Sequence, residues 1–294
     1  MSKQSWIQKL APWIAPVFVV IWSTGFIVAR YGMPHAEPMT FLFLRFTGVL
    51  IFMLPIVFIW KAPWPTRSQM IHIAVAGLLL QAGYLGGVWA AVKNGMSAGL
   101  SALIVGLQPI LTAWLAAWIA ERVSPKQWLG LVLGLCGVGL VVMAKLSLVG
   151  LSMWSLIFIF IALFCITLGT LYQKKYCSQF DLRTGSIIQF AASACLCLPF
   201  MFIFETREID WVPEMVVSLL WSILALSIGA ISLLFVMIRD GAATRVTSLM
   251  YLTPPTTALM AWLLFNEPIT WPIILGIAIT MSAVVLVNRN QHLK

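Results

Sequence analysis

Ten apolar runs, each close to the ~20 residues that carry an α-helix across the hydrocarbon core of a bilayer, follow one another along this chain. They fall near 12–31, 39–60, 70–93, 97–119, 126–144, 153–173, 183–204, 215–238, 244–265 and 269–288 of its 294 residues. The segments between them are too short to hold a further domain. In lipid every backbone polar group needs an internal partner, and runs of this length meet that need as helices. The fold class predicted is therefore an all-α integral membrane protein of ten transmembrane helices. Composition agrees: 61% of residues are hydrophobic, 9% are charged, and the mean hydropathy is +0.99. A net charge of +9 would point to nucleic acid in a soluble protein. Here the charges sit in short loops, where they orient a membrane protein, and no nucleic-acid partner is expected.

The amino-terminal stretch has a short basic start, a long apolar run and no small-residue cleavage site, so it reads as a retained first span. With that terminus inside, thirteen Lys and Arg fall on the inner face against four on the outer, and Arg45 within a span completes the 18. Both tails, 1–11 and 289–294, are then expected in the cytoplasm. The five cysteines form no CxxC pair and mostly lie inside apolar runs. They read as packing residues, and no metal site or cofactor is expected.

The two halves of the chain match each other. "RFTGVLIFMLPIVFI" beside "QFAASACLCLPFMFI" pairs Arg45 with Gln189, Phe46 with Phe190 and Pro55 with Pro199, a shift of 144. A shift of 146 pairs Lys93 with Arg239, Gly95 with Gly241, Pro109 with Pro255, Glu121 with Glu267 and Gly130 with Gly276. A nearly constant offset over four helices marks an internal duplication. Each copy, 12–144 and 153–288, holds five spans. Five is odd, so the copies cross the membrane in opposite senses. Inverted repeats of this kind belong to secondary transporters, in which the halves exchange conformations to open one site to alternate faces.

Two long stretches then become recognisable. "ALIVGLQPILTAWLAAWIAERVSPKQWLGLVLGLCGVGLVV" and its second copy "LMYLTPPTTALMAWLLFNEPITWPIILGIAITMSAVVLV" resemble the repeat signature of the EamA family in the drug/metabolite transporter superfamily. "WSTGFIVARYG" and "PMTFLFLRF" resemble that family's openings. The resemblance spans essentially the whole chain. It implies inverted five-helix repeats around a central cavity, with helices 5 and 10 peripheral. It also implies movement of small metabolites, often export of amino acids or related compounds, across a bacterial inner membrane.

On the fourth span Ser97, Ser101, Gln108 and Thr112 recur at helical spacing, a polar stripe that faces protein or water rather than lipid. Gln81 and Tyr84, with Trp89 adjacent, form a similar face on the third span. Trp22 on the first and Tyr251 on the ninth complete an aromatic ring suited to flat apolar groups or, by cation–π attraction, organic cations. The alternative role for all of these is interhelical packing. Pro109 and Pro255 remove backbone hydrogen bonds at equivalent places and are expected to kink their helices as hinges. Ser124 and Thr270 read as N-caps of the fifth and tenth helices, and Glu121 and Glu267 as structural acids beside them.

Arg45 stands apart. A guanidinium near the bilayer centre costs at least ~2.5–3.5 kcal/mol, and Arg45 lies ~9 Å below the outer end of its helix at 1.5 Å per residue. Snorkelling outward is one remedy. The other, taken here, is to face the bundle, where it either meets the carboxylate of an amino-acid-like solute or braces the helices.

No acid falls in the core of a span, so a buried carboxylate relay is not expected. No glycine-rich nucleotide loop appears, and the acids and histidines are too scattered for an enzyme site. The expected function is non-enzymatic: a gradient-driven exporter of amino acids or related zwitterionic or aromatic compounds. A carrier of organic cations or amines is the runner-up, and a channel or scaffold comes third. The expected partners are the solute and membrane lipid, the protein acting as a monomer or weak homodimer.

Overall fold

In a computed structural model, residues 3–119, 125–149, 151–177, 180–230, 232–233 and 252–288 are described. Among them the chain is helical, with no strands. Ten helices account for it: α1 Lys3–Gly32, α2 Pro38–Ile59, α3 Arg67–Lys93, α4 in two pieces (Ala98–Val105 and Gln108–Ile119), α5 Pro125–Val149, α6 Met153–Tyr176, α7 Leu182–Phe204, α8 Pro213–Ala230, α9 Thr253–Phe265 and α10 Trp271–Asn288. Five of these (α2, α3, α6, α7 and α8) are long and apolar enough to cross a membrane. Shorter apolar helical stretches cover Pro16–Gly32, Ala98–Thr112, Trp128–Ala144 and Trp271–Leu286.

The dominant packing pairs join the two halves: α2 with α7, α3 with α6 and α7, α4 with α9, and α5 with α10. Three of these pairs unite a helix with its own counterpart. That arrangement is what a two-fold relation between the repeats produces, because an element touches its symmetry mate only near the axis. Phe46 of α2 meets Phe190 of α7 in this way, with ring centroids 5.7 Å apart. The α5–α10 seam is closer still. A Cβ added at Gly137 would overlap Thr280 and the Gly276 carbonyl, and one added at Gly276 would overlap Val141 and the Gly137 carbonyl.

Three local features depart from a plain 3.6-residue reading. First, α4 stops at Val105 and restarts at Gln108. Pro109 therefore sits in the first turn of a new helix, where its missing N–H costs little, instead of kinking a continuous one. Second, α3 carries a π-helical stretch at Leu78–Gly83 and α8 another at Ser222–Ala230. The repeat offset of 146 carries the first onto Leu224 to Gly229, inside the second, so both repeats widen the same turn. Third, Thr270 occupies the N-cap position of α10, its carbonyl accepting from Ile274 N–H at 3.0 Å, but its hydroxyl finds no partner. The expected side-chain cap is not made there. Ser124 and Glu121 lie outside the described residues.

The bundle end that carries the α1–α2, α7–α8 and α9–α10 connections is laced by hydrogen bonds. Glu205, just past α7, accepts from the N–H groups of Met39 and Thr40 and from the Thr40 hydroxyl at 2.7–2.8 Å, capping α2. Reciprocally Glu37, just before α2, accepts from the N–H groups of Thr206 and Arg207. Lys93 Nζ donates to the carbonyls of Met33 and Ala36, and Glu267 caps α4 by accepting from Ala98 N–H at 3.1 Å.

Candidate functional site

Below that laced end, and between the two halves, lies a chamber of about 430 Å³. α1 contributes Trp22, Gly25 and Phe26; α2, Arg45; α3, Gln81, Tyr84, Val88 and Trp89; α4, Gln108. The second half contributes Ile166, Thr170 and Gln173 from α6, Ser186, Gln189 and Phe190 from α7, and Leu226 and Ser227 from α8. A small annex of about 60 Å³ continues past Gln108 toward Pro109, Thr253 and Pro254. The π-helical turns bring Gln81 and Ser227, equivalent residues at the 146 offset, to the same chamber.

Arg45 faces inward. Its side chain is 5% exposed, and its Nε and Nη2 both donate to the Ser227 hydroxyl, at 3.1 and 3.0 Å. The guanidinium carbon lies 5.6 Å from the centre of the Trp89 ring, a cation–π distance. Nη1 is buried without a hydrogen-bond partner, as is Trp89 Nε1. Gln189, the repeat counterpart of Arg45, lines the chamber as well and donates to Gln173 Oε1 at 3.0 Å. Gln108 reaches the hydroxyls of Thr112 and Thr170 at 3.4 and 3.3 Å. The wall is thus mainly aromatic and aliphatic, with amides, hydroxyls and one guanidinium set into it.

Of the residues singled out from sequence, Trp22, Arg45, Gln81, Tyr84, Trp89 and Gln108 line this chamber. Ser101 does not. It is fully buried, and its hydroxyl donates to the Ser97 carbonyl at 2.9 Å. The break in α4 explains this, because it resets the helical phase between Ser101 and Gln108. Pro109 lines the annex. Pro255 lies in the first turn of α9, and Tyr251 falls outside the described residues. Sequence reasoning passed over Thr170, Gln173, Ser186, Gln189 and Ser227. For Gln189 the signal was present, since it is the repeat partner of Arg45.

Toward the laced end Phe41 and Leu42 of α2 are buried, and Phe41 packs against the chamber-lining Trp89 with ring centroids 6.0 Å apart. At the opposite end the chamber walls run out to Gln173, Phe180 and Leu182, which are partly exposed.

A chamber of this kind between two five-helix halves invites comparison with known carriers. The profile of the EamA-like transporter family matches residues 10–143 and again 153–289, one copy to each half. The chain belongs to the EamA-like transporter family. Among its relatives is the uncharacterized inner membrane transporter YedA of Escherichia coli K12, 25% identical over 97% of this chain and 94% of that protein. A probable amino-acid metabolite efflux pump of Salmonella typhimurium is 29% identical, over 55% of this chain and 52% of its own length. A solved crystal structure shares the fold, with a TM-score of 0.64 at 17% identity over 96% of this chain and 97% of that one. As an EamA-like protein the chain is a membrane transporter.

Proposed function

We propose that this EamA-like protein is a secondary carrier that exports amino acids or closely related carboxylate-bearing metabolites across the bacterial inner membrane by alternating access. The single observation that carries the reading is a mainly apolar chamber, set with amides, hydroxyls and one guanidinium, that two inverted halves share and that lies below the laced connections at one end and reaches partly exposed residues at the other. Channels hold both ends continuous, and a structural bundle has no reason to hollow out its axis or to bury a guanidinium beside the hollow. In this reading the repeats are 12–144 and 153–288, with short cytoplasmic tails at 1–11 and 289–294. The Lys and Arg bias supports a periplasmic position for the laced end, so the conformation described is closed outward. Trp22, Arg45, Gln81, Tyr84, Trp89 and Gln108 are the substrate contacts proposed. The partial match to an amino-acid metabolite efflux pump supports the substrate class.

Counterflow in proteoliposomes tests the carrier directly. Preloading with unlabelled amino acids is expected to drive transient, saturable accumulation of the labelled solute. Flux that rises linearly with concentration and shows no counterflow would contradict it.

A further inference from the structure

Among the described residues, the chamber wall carries one fixed charge and no charge of the other sign. Arg45 stays protonated at any physiological pH, yet its one side-chain acceptor is the neutral Ser227 hydroxyl, shared by Nε and Nη2. Nη1 is left buried and without an acceptor, and a second orphan donor, Trp89 Nε1, lies in the ring against which the guanidinium rests. Neither the chamber nor its annex is lined by a carboxylate side chain. The described acids all stand at helix ends or in connections. A buried charge without a counter-ion is unfavourable on its own, and a guanidinium fork matches a carboxylate. Among the described residues none supplies the missing anion, and a solute carboxylate fits that place.

The rest of the wall says what that anion carries. Trp22, Phe26, Tyr84 and Phe190 offer flat apolar surface, and the volume suits one small solute. An α-ammonium sits one carbon from its carboxylate, so a zwitterion held at Arg45 would bring its cation within roughly 5 Å of the guanidinium, inside one Debye length. Among the described residues no acid lines the chamber to receive it. Resting on the carrier reading above, we propose that the chamber selects organic monocarboxylates with a flat apolar body. They are bound at Arg45 Nη1 and Trp89 Nε1, in preference to zwitterions of the same shape and to the exclusion of the matching amine cations. A dicarboxylate is disfavoured too, because its second charge would lack a partner.

A matched series isolates the charge. 3-Phenylpropionate, phenylalanine and phenethylamine share a ring and a two-carbon arm and differ in net charge. Thermal stabilisation of the purified full-length protein in detergent gives an apparent Kd for each. The acid is expected to bind at least about tenfold tighter than the zwitterion, the scale of one charge-assisted hydrogen bond, and the amine to give no shift. Arg45→Gln places at this position the residue its repeat partner already has, and is expected to abolish the preference for the acid. Trp89→Phe keeps the ring, removes one donor, and is expected to weaken the acid several-fold while leaving the melt cooperative.

Equal or tighter binding of phenylalanine, an unaltered preference in Arg45→Gln, or no stabilisation by any of the three overturns the proposal. If Arg45→Gln fails to fold, unaltered acid binding by Trp89→Phe overturns it. Counterflow separates this from the broader reading. Saturable exchange of phenylalanine without preference for the acid removes only the monocarboxylate class. The expected binding order without saturable exchange of any solute removes the carrier.

Discussion

Phe46 and Phe190, equivalent residues of the two repeats, lie ring to ring with centroids 5.7 Å apart and planes inclined by 37°. Both are buried. A residue meets its own symmetry mate only on the axis, so the pseudo-two-fold passes between them. Arg45 and Gln189, one residue earlier in each helix, lie on the chamber wall beside that axis. Two chemically different side chains thus occupy equivalent seats, and among the described residues the chamber is charged on one side only.

The aromatic pair gives the first expectation. Phe46→Ala and Phe190→Ala each leave a void at the α2–α7 contact, costing ~3–5 kcal/mol by analogy with buried Phe in other cores. Because the residues touch, the double variant is expected to cost less than the sum of the singles, with a coupling of ~0.5–1.5 kcal/mol. Unfolding midpoints in detergent for the four proteins of the cycle check this.

A second expectation concerns the exchanged carboxylates. Glu205 caps α2 through three hydrogen bonds, and Glu37 reaches back to the segment after α7. Glu205→Ala removes the α2 cap, a loss of ~0.5–2 kcal/mol felt only while that end is laced. It is expected to shift the protein toward the opposite opening more than it destabilises the fold. Glu205→Gln, which keeps an acceptor, is expected to behave closer to wild type. Protection of α2 amides against hydrogen exchange distinguishes the three.

The α5–α10 seam gives a third. Gly137→Leu forces a side chain against Thr280 and the Gly276 carbonyl, and overpacking of this kind costs ~1–3 kcal/mol. α5 and α10 hold none of the main chamber's lining residues, so solute Kd is expected to stay within twofold while the melting temperature falls.

A fourth follows from the turn before α7. Asp181 caps that helix, accepting from Arg183 N–H at 2.9 Å and from its guanidinium at 3.0 and 2.7 Å. The Arg183 side chain, chiefly through its hydrogen bonds, holds the Asp181 carboxyl below the ordinary carboxylate range. A carboxyl with a depressed folded value stabilises above its unfolded pKa and loses that contribution as pH falls through the folded one. Asp181→Ala is therefore expected to cost ~1 kcal/mol near neutrality. The gap to wild type should close only once the solution is more acidic than the lowered value. Asp181→Asn, still a good cap, is expected to recover most of the loss. Melting curves across pH check the sign.

Helices α2, α3, α6 and α7 were legible because hydropathy alone marks a span, and lipid leaves few other folds for such a run. The duplication was legible because Arg45/Gln189, Pro55/Pro199 and Glu121/Glu267 keep their spacing. Neither the break at Gly106 and Leu107 nor the paired π-helical turns leave a trace in a reading that assumes 3.6 residues per turn. The first put Ser101 on the wrong face, and the second hid Ser227, which faces the chamber only because α8 is widened there. Glu37 and Glu205 fall between the apolar runs. Their exchange of hydrogen bonds depends on two loops 168 residues apart in sequence meeting, which no local pattern encodes.

Labelling of a chamber cysteine from the two faces of the membrane tests the alternating chamber most directly. In a background without the five native cysteines, Val88→Cys places a thiol on the chamber wall. Impermeant maleimide is then applied to one face at a time, with Glu205 intact or replaced by Ala. The expected result is reciprocal: the thiol reacts mainly from the α2–α3 face when the lacing is intact, and Glu205→Ala raises reaction from the α1–α2 face while lowering it from the other. Reaction from one face under every condition, or rates that rise together from both, would contradict a carrier built on two inverted halves.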